Sequence, residues 1–180
     1  MTPRQRATRA GLDQRLRGGD PRSLGQANEI VGEVLSAPDR LAELVECVLG
    51  DDPVVRMRAS DALEKVARQR PAWVEPFLDR LLGPVSTIEQ ASVQWHLAQI
   101  LGEVPLDVPR RRLAVRLLRT FLEHSTDWIV LTSTMESLTT LATGDARLRR
   151  WLIPVLQHHL DDRRPAVVKR AARQLARLGS

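Results

Sequence analysis

Tyrosine is absent from the 180-residue chain, phenylalanine occurs twice, and lysine is found only at Lys65 and Lys169. Strands favour aromatic and β-branched residues, whereas the Leu, Ala, Arg, Glu and Gln that dominate here favour helices. The shortage of aromatics therefore points away from a β architecture and towards an all-α one. The single cysteine, Cys47, excludes an internal disulfide and fits a reducing, cytoplasmic setting. Its neighbours, Leu44, Val45, Val48 and Leu49, predict a buried thiol. No uncharged apolar run reaches the roughly 18 residues of a membrane span, so no membrane is expected as a partner. Residues 1–22 carry six Arg and two Asp and lack the apolar stretch of a secretory signal. A Gly-rich phosphate loop, paired cysteines and a nucleophile elbow are also missing. The chain is accordingly expected not to be an enzyme, with no catalytic residue, cofactor or metal.

What is present is a packed-fold composition, 43% apolar, with a net charge of +5. Of the 27 basic residues, 25 are arginines. Codon bias in a GC-rich genome writes the same skew, so the basic balance alone says little about a nucleic-acid partner.

The chain repeats itself. Shifting the segment from Val55 to Val66 by about 38, 75 and 112 residues places Val55 on Val93, Val130 and Val167. Ala59 falls on Leu97, Thr134 and Ala171, Leu63 on Leu101, Leu138 and Leu175, and Val66 on Val104, Leu141 and Leu178. The internal spacing of these columns traces one face of a helix. A second helix recurs between them, with Trp73 to Leu78 echoed by Trp151 to Leu156. The repeating pair Trp73 and Trp151 is expected in the core. Helices are predicted over 23–36, 38–49, 53–69, 72–82, 87–103, 109–123, 127–142, 146–160 and 164–178. Pro76 and Pro154 should start or kink theirs. Asp52 before Pro53 predicts an N-cap, and Ser23 with Gln26 and Ser86 with Glu89 predict capping boxes.

The run Asp52-Pro53-Val54-Val55-Arg56 through Ala59, Ala62 and Leu63 resembles the HEAT-repeat pattern. A second match runs from Asp161-Asp162 to Leu175, and Ile100-Leu101-Gly102-Glu103-Val104 resembles the end of a first helix in bacterial members. The repeat at 127–142 departs from the pattern, with Ser and Thr where Arg and Ala are usual. The resemblance implies a right-handed α-α superhelix, a HEAT-like solenoid of about four to five helix pairs over 23–180. It is to be preceded by a flexible, loosely packed Arg-rich segment 1–22. It also implies that the second helix of each pair lines a concave surface.

Charge is polarised along the chain: residues 23–104 carry −6, 105–119 carry +4 and 145–180 carry +6. On the helix over 109–123, Arg112, Arg116 and Arg119 recur at helical spacing beside Leu113, Leu117 and Phe121, and Arg150 occupies the column of Arg112 one repeat later. With Arg147 and His158 on the later helix, these are the candidate partner-binding residues. Guanidinium groups suit carboxylates and phosphates through paired bonds. The plain alternative is a solvated helix face, with Glu123 closing Arg119 into an ion pair.

The leading expectation is a non-catalytic scaffold that holds a protein partner, one with an acidic segment, on the concave face. The alternative is nucleic-acid binding through the phosphate backbone; few aromatics are available to stack single strands. A HEAT-like DNA glycosylase is the enzyme to weigh, but none of the four Trp has an Asp one turn later on the same face. Lesser candidates have simpler readings. His158 and Asp162 could seat a metal or form a polar helix end. Glu123, His124 and Asp127 could be an acid–base group or a stop followed by an N-cap. The hydroxyls from Thr132 to Thr143 could be a docking face or a helix packed between neighbours.

Overall fold

The computed structural model describes residues 11–18, 20 and 23–179. Among them there are eleven α-helices and no strand: α1 Leu12–Leu16, α2 Ala27–Ser36, α3 Leu41–Leu49, α4 Pro53–Gln69, α5 Pro71–Val74, α6 Leu78–Leu82, α7 Ala91–Glu103, α8 Val108–His124, α9 Trp128–Leu141, α10 Ala146–His158 and α11 Pro165–Gly179. Single 3-10 turns occupy Pro38–Arg40, Glu75–Phe77, Pro84–Thr87 and His159–Asp161. Contacts divide the chain into two units, Met1–Leu63 and Glu64–Ser180, the boundary falling within α4. Among the described residues no helix is long and apolar enough to cross a membrane.

In the first unit, Ile30 and Val34 of α2, Leu44, Val45 and Val48 of α3, and Val55, Ala59 and Ala62 of α4 are buried. Asp52 caps α4 as its position before Pro53 predicts: its Oδ1 accepts from the amides of Val54 at 2.8 Å and Val55 at 3.3 Å. The capping box expected at Ser23 does not form, because α2 begins only at Ala27 and Ser23 bonds instead within its own turn, to the carbonyl of Asp20.

The segment expected to pack loosely is instead anchored over Leu12–Leu16; residues 1–10, 19, 21 and 22 lie outside the described residues. Leu12 and Leu16 of α1 are fully buried, and Glu43 accepts from the Leu12 amide at 2.7 Å. The rest of the anchorage is polar. Arg58, itself buried, donates to the carbonyls of Leu16 at 2.6 Å, Gly18 at 2.7 Å, Asp20 at 2.8 Å and Ser23 at 3.0 Å. Gly25 passes so close to this guanidinium that a Cβ there would lie 3.0 Å from Cζ, and its φ of +51° lies in the left-handed region that favours glycine. The anchor comes from the middle of the sequence, so local apolar content understates how firmly α1 is held.

In the second unit the repeat columns become a layer. α9 packs against both α7 and α11, α8 lies on α9, and α10 lies on α9 and α11. Val93, Val130 and Val167 are buried, as are Leu97, Thr134 and Ala171, and Leu101 and Leu138. Leu175 departs from its column and is only half-buried. The buried stripe of α11 is Val167, Ala171, Gln174 and Leu178, and Leu175 stands one residue, about 100° of helix rotation, off it.

α9, whose one charged residue is Glu136, is the hydroxyl-rich helix packed between neighbours. Thr132, Ser133, Thr134, Ser137 and Thr139 are buried along with its apolar residues. Thr132 and Thr139 donate to the carbonyls of Ile129 and Met135 in their own helix. Gly102 sets the approach of α7: a Cβ there would come within 2.7 Å of the Ser137 hydroxyl.

Prolines act locally. Pro76 breaks the predicted helix 72–82 into α5, a 3-10 turn and α6, whereas Pro154 stays inside α10. The capping box at Ser86 is replaced by a 3-10 turn, in which Ser86 bonds to Leu82 and Gly83.

Candidate binding site

α8 owes its position to its cap and its core stripe. Asp107 caps it, accepting from the Arg110 amide at 2.8 Å. Its core stripe is Ala114, Leu118, Phe121 and Leu122. The line proposed from the sequence, through Leu113 and Leu117, is displaced from this stripe: Leu113 is 46% exposed. A small Ala114 carries the first step of the true stripe, so side-chain size misdirects the phase. Turning the helix to this phase aims Arg112, Arg116 and Arg119 outward.

α10 is capped by Asp145, whose Oδ1 accepts from the Leu148 amide at 2.9 Å. It buries Leu148, Leu152 and Leu156. Arg147 and Trp151, four residues apart, share another face of it. Between α8 and α10 lie two adjoining cavities of about 490 and 550 Å³. Arg112, Arg119 and Arg147 line both, Trp151 walls the first, and Arg116 and Glu123 line the second.

Ion pairing separates the arginines of this face. Arg110 pairs with Asp79 at 2.9 Å and with Asp107 at 3.1 Å. Arg111 pairs with Asp145 at 2.9 Å and donates to the Leu141 carbonyl at 2.6 Å. The Leu148 amide and then Arg111 hold the Asp145 carboxyl below the usual range, so it stays ionised and neutralised. Farther along the chain, Arg164 pairs with Asp162, and Arg170 with Glu136. Arg112, Arg116, Arg119 and Arg147 have no carboxylate partner within ion-pair distance among the described residues. Glu123, one turn from Arg119, does not close on it. Arg119 instead lies over the indole of Trp151, 4.0 Å from the ring centroid.

Of the six residues singled out from the sequence, the fold thus brings together Arg112, Arg116, Arg119 and Arg147. Arg150 lines neither cavity; it stands one residue, about 100° of rotation, from Trp151. His158 is exposed near the far end of α10, also outside both cavities. Sequence reasoning missed Trp151. The match with Trp73 suggested a core column, yet both indoles are only half-buried and each has an arginine over it, Arg70 standing 5.8 Å from Trp73. Arg147, four residues before Trp151 and on the same face of α10, is the signal that was there to find.

The lesser candidates resolve into structural roles. Asp127 caps α9, accepting from the amides of Ile129 and Val130, and Glu123 and His124 are exposed at the end of α8. Asp162 is taken by Arg164 at 2.6 Å, which holds its carboxyl far below the usual range. Burial first, and then His158, lowers the pKa of His159. Among the described residues no group of three His, Cys, Asp or Glu is placed to hold a metal. Cys47 is buried, and burial pushes its thiol up to about 11. Comparisons with family models, curated proteins and solved structures find no match to this chain.

Proposed function

We propose that the chain is a non-catalytic binding module that holds an acidic segment of a protein partner across α8 and α10. One observation carries this reading: four arginines around two adjoining cavities lack carboxylate partners, while Arg110 and Arg111 on the same helix are paired. A guanidinium in water gains little from an exposed ion pair, about 0–1 kcal/mol. In a cleft walled by Val115, Leu148 and Trp151, the same group meets an anion in a medium less polar than water, where its hydrogen bonds are stronger. Leu113 and Val108, exposed on the same helix, offer apolar contact beside the charges. The repeat columns support the companion proposal that the helix pairs belong to a HEAT-like, right-handed superhelix. The buried, weakly acidic thiol of Cys47 is compatible with a cytoplasmic location, which is part of the same proposal.

The test uses fluorescence anisotropy with a labelled polyglutamate peptide and, separately, a labelled DNA duplex. The wild-type chain should bind the peptide, and an Arg112→Glu, Arg116→Glu double variant should melt normally and lose that binding. Retained binding would move the site elsewhere. Tight binding to the duplex alone, falling steeply with salt, would replace this reading by nucleic-acid binding.

A further inference from the structure

We infer that the cavity walled by Trp151 is a pocket for a phosphate monoester, and that the acidic segment proposed above is anchored there by a phosphorylated side chain. This rests on the proposed function and narrows it. Charge balance is the first ground. Arg111 and Asp145 neutralise each other at 2.9 Å, which leaves Arg112, Arg119 and Arg147 as three cations without carboxylate partners around one space of about 490 Å³. A glutamate side chain brings one negative charge and two oxygens. A phosphodiester in a nucleic-acid backbone also brings one charge and two free oxygens. A phosphorylated serine or threonine brings about −1.5 to −2 charges and three strong acceptor oxygens. Of these, it is the ligand whose charge and acceptor count come nearest to three guanidiniums.

Preorganisation is the second ground. With its Cζ over the indole, 4.0 Å from the ring centroid, Arg119 is held on one side by Trp151 and has no carboxylate among the described residues to occupy its N–H donors. Stacked arginines of this kind lose less freedom when they bind, and the fork matches two oxygens of one phosphate. Arg112 is two turns earlier on the same face of α8, and Arg147 comes from α10, so the three donors approach from two helices. Val115, Leu148 and Trp151 supply an apolar wall. Such a wall strengthens hydrogen bonds to an anion lying against it, relative to those formed in open solvent.

The experiment compares three labelled peptides that share one acidic sequence and differ at a central position carrying serine, glutamate or phosphoserine. Each is titrated against the full chain by fluorescence anisotropy. The phosphoserine peptide should bind about tenfold more tightly than the glutamate peptide, because it adds charge and an acceptor oxygen. Arg119→Lys keeps the charge but loses the fork, and should bring that ratio close to one while binding of the glutamate peptide persists. Trp151→Phe, which retains a ring beneath the guanidinium, should keep most of the ratio, and Trp151→Ala should lose it. Circular dichroism melts establish that each variant is folded. Equal affinity for the phosphoserine and glutamate peptides, both above serine, would overturn the phosphate pocket and leave the acidic-segment reading standing. A preference that survives Arg119→Lys would also overturn it. If no peptide binds and a DNA duplex does, both readings fall.

Discussion

Replacing Arg58 by alanine removes a buried cation whose guanidinium reaches four backbone carbonyls, those of Leu16, Gly18, Asp20 and Ser23, at 2.6 to 3.0 Å. Each hydrogen bond from a charged donor contributes about 1.5–3 kcal/mol when counted singly. Burying the guanidinium opposes that gain, and truncating one member of a buried charged network costs about 3–5 kcal/mol. The loss should fall first on α1, because Leu12 and Leu16 stay in place only while the following turn is held. Urea unfolding followed by circular dichroism should show the midpoint falling by on the order of 2 M, given a slope of about 1–3 kcal/mol per M. Brief trypsin treatment should cut the variant after Arg15 or Arg17 at urea concentrations where the wild type is intact. Arg58→Lys keeps the charge but has only three donors on a narrower head, and should recover part of the loss. An unchanged midpoint together with unchanged trypsin resistance would refute the view that this side chain anchors the segment.

Leu101 is fully buried, so Leu101→Ala should cost about 2–5 kcal/mol and lower the melting temperature by on the order of 10 °C; Leu175→Ala, at a half-buried position, should cost clearly less in the same calorimetric scan. Gly102→Ala would press a Cβ to 2.7 Å from the Ser137 hydroxyl, and should destabilise by about 1–3 kcal/mol as overpacking does; Ser137→Gly in the same chain should return part of that in denaturant titration. Asp145 has its pKa lowered by the Leu148 amide and by Arg111, so its contribution is present above the unfolded value of about 3.9 and is lost as pH falls through the lower folded value. Melts recorded across the acid range should show Asp145→Asn with a shallower acid decline than the wild type, and identical slopes would contradict the assignment.

Much of the helical framework was legible in the sequence, because α4, α8, α10 and α11 each carry a period of apolar residues and an acidic or proline start, and α9 follows the Asp127 cap. The columns through Val55 and Ala59, and that through Leu63 except at Leu175, found buried positions because each repeats against the same kind of neighbour. Two kinds of information were not legible. Phase failed on α8, where Ala114 rather than Leu113 faces inward, because a column defined by large residues passes over a small one. Pairing was also hidden: beyond the local Asp107, the carboxylates that neutralise Arg110 and Arg111 lie 31 and 34 residues away, at Asp79 and Asp145. Only the fold shows which arginines remain uncompensated. The same distance effect concealed α1, whose anchor is an arginine some 40 residues downstream.

The hydroxyls of α9 have a mechanical consequence. Thr132, Thr139 and Thr140 direct theirs to carbonyls of the helix that carries them, so these polar groups do not act as rivets between helices. Where α9 meets α7, the fit of Gly102 against Ser137 is one of shape. Surfaces joined in this way can slide by small steps without rupturing a directional bond, the shear mode open to packed helices. Under load the fit at Gly102 and Ser137 should therefore yield by slippage, whereas α9 and α11, bridged by Glu136 and Arg170, and the segment tied by Arg58 should resist until those bonds break.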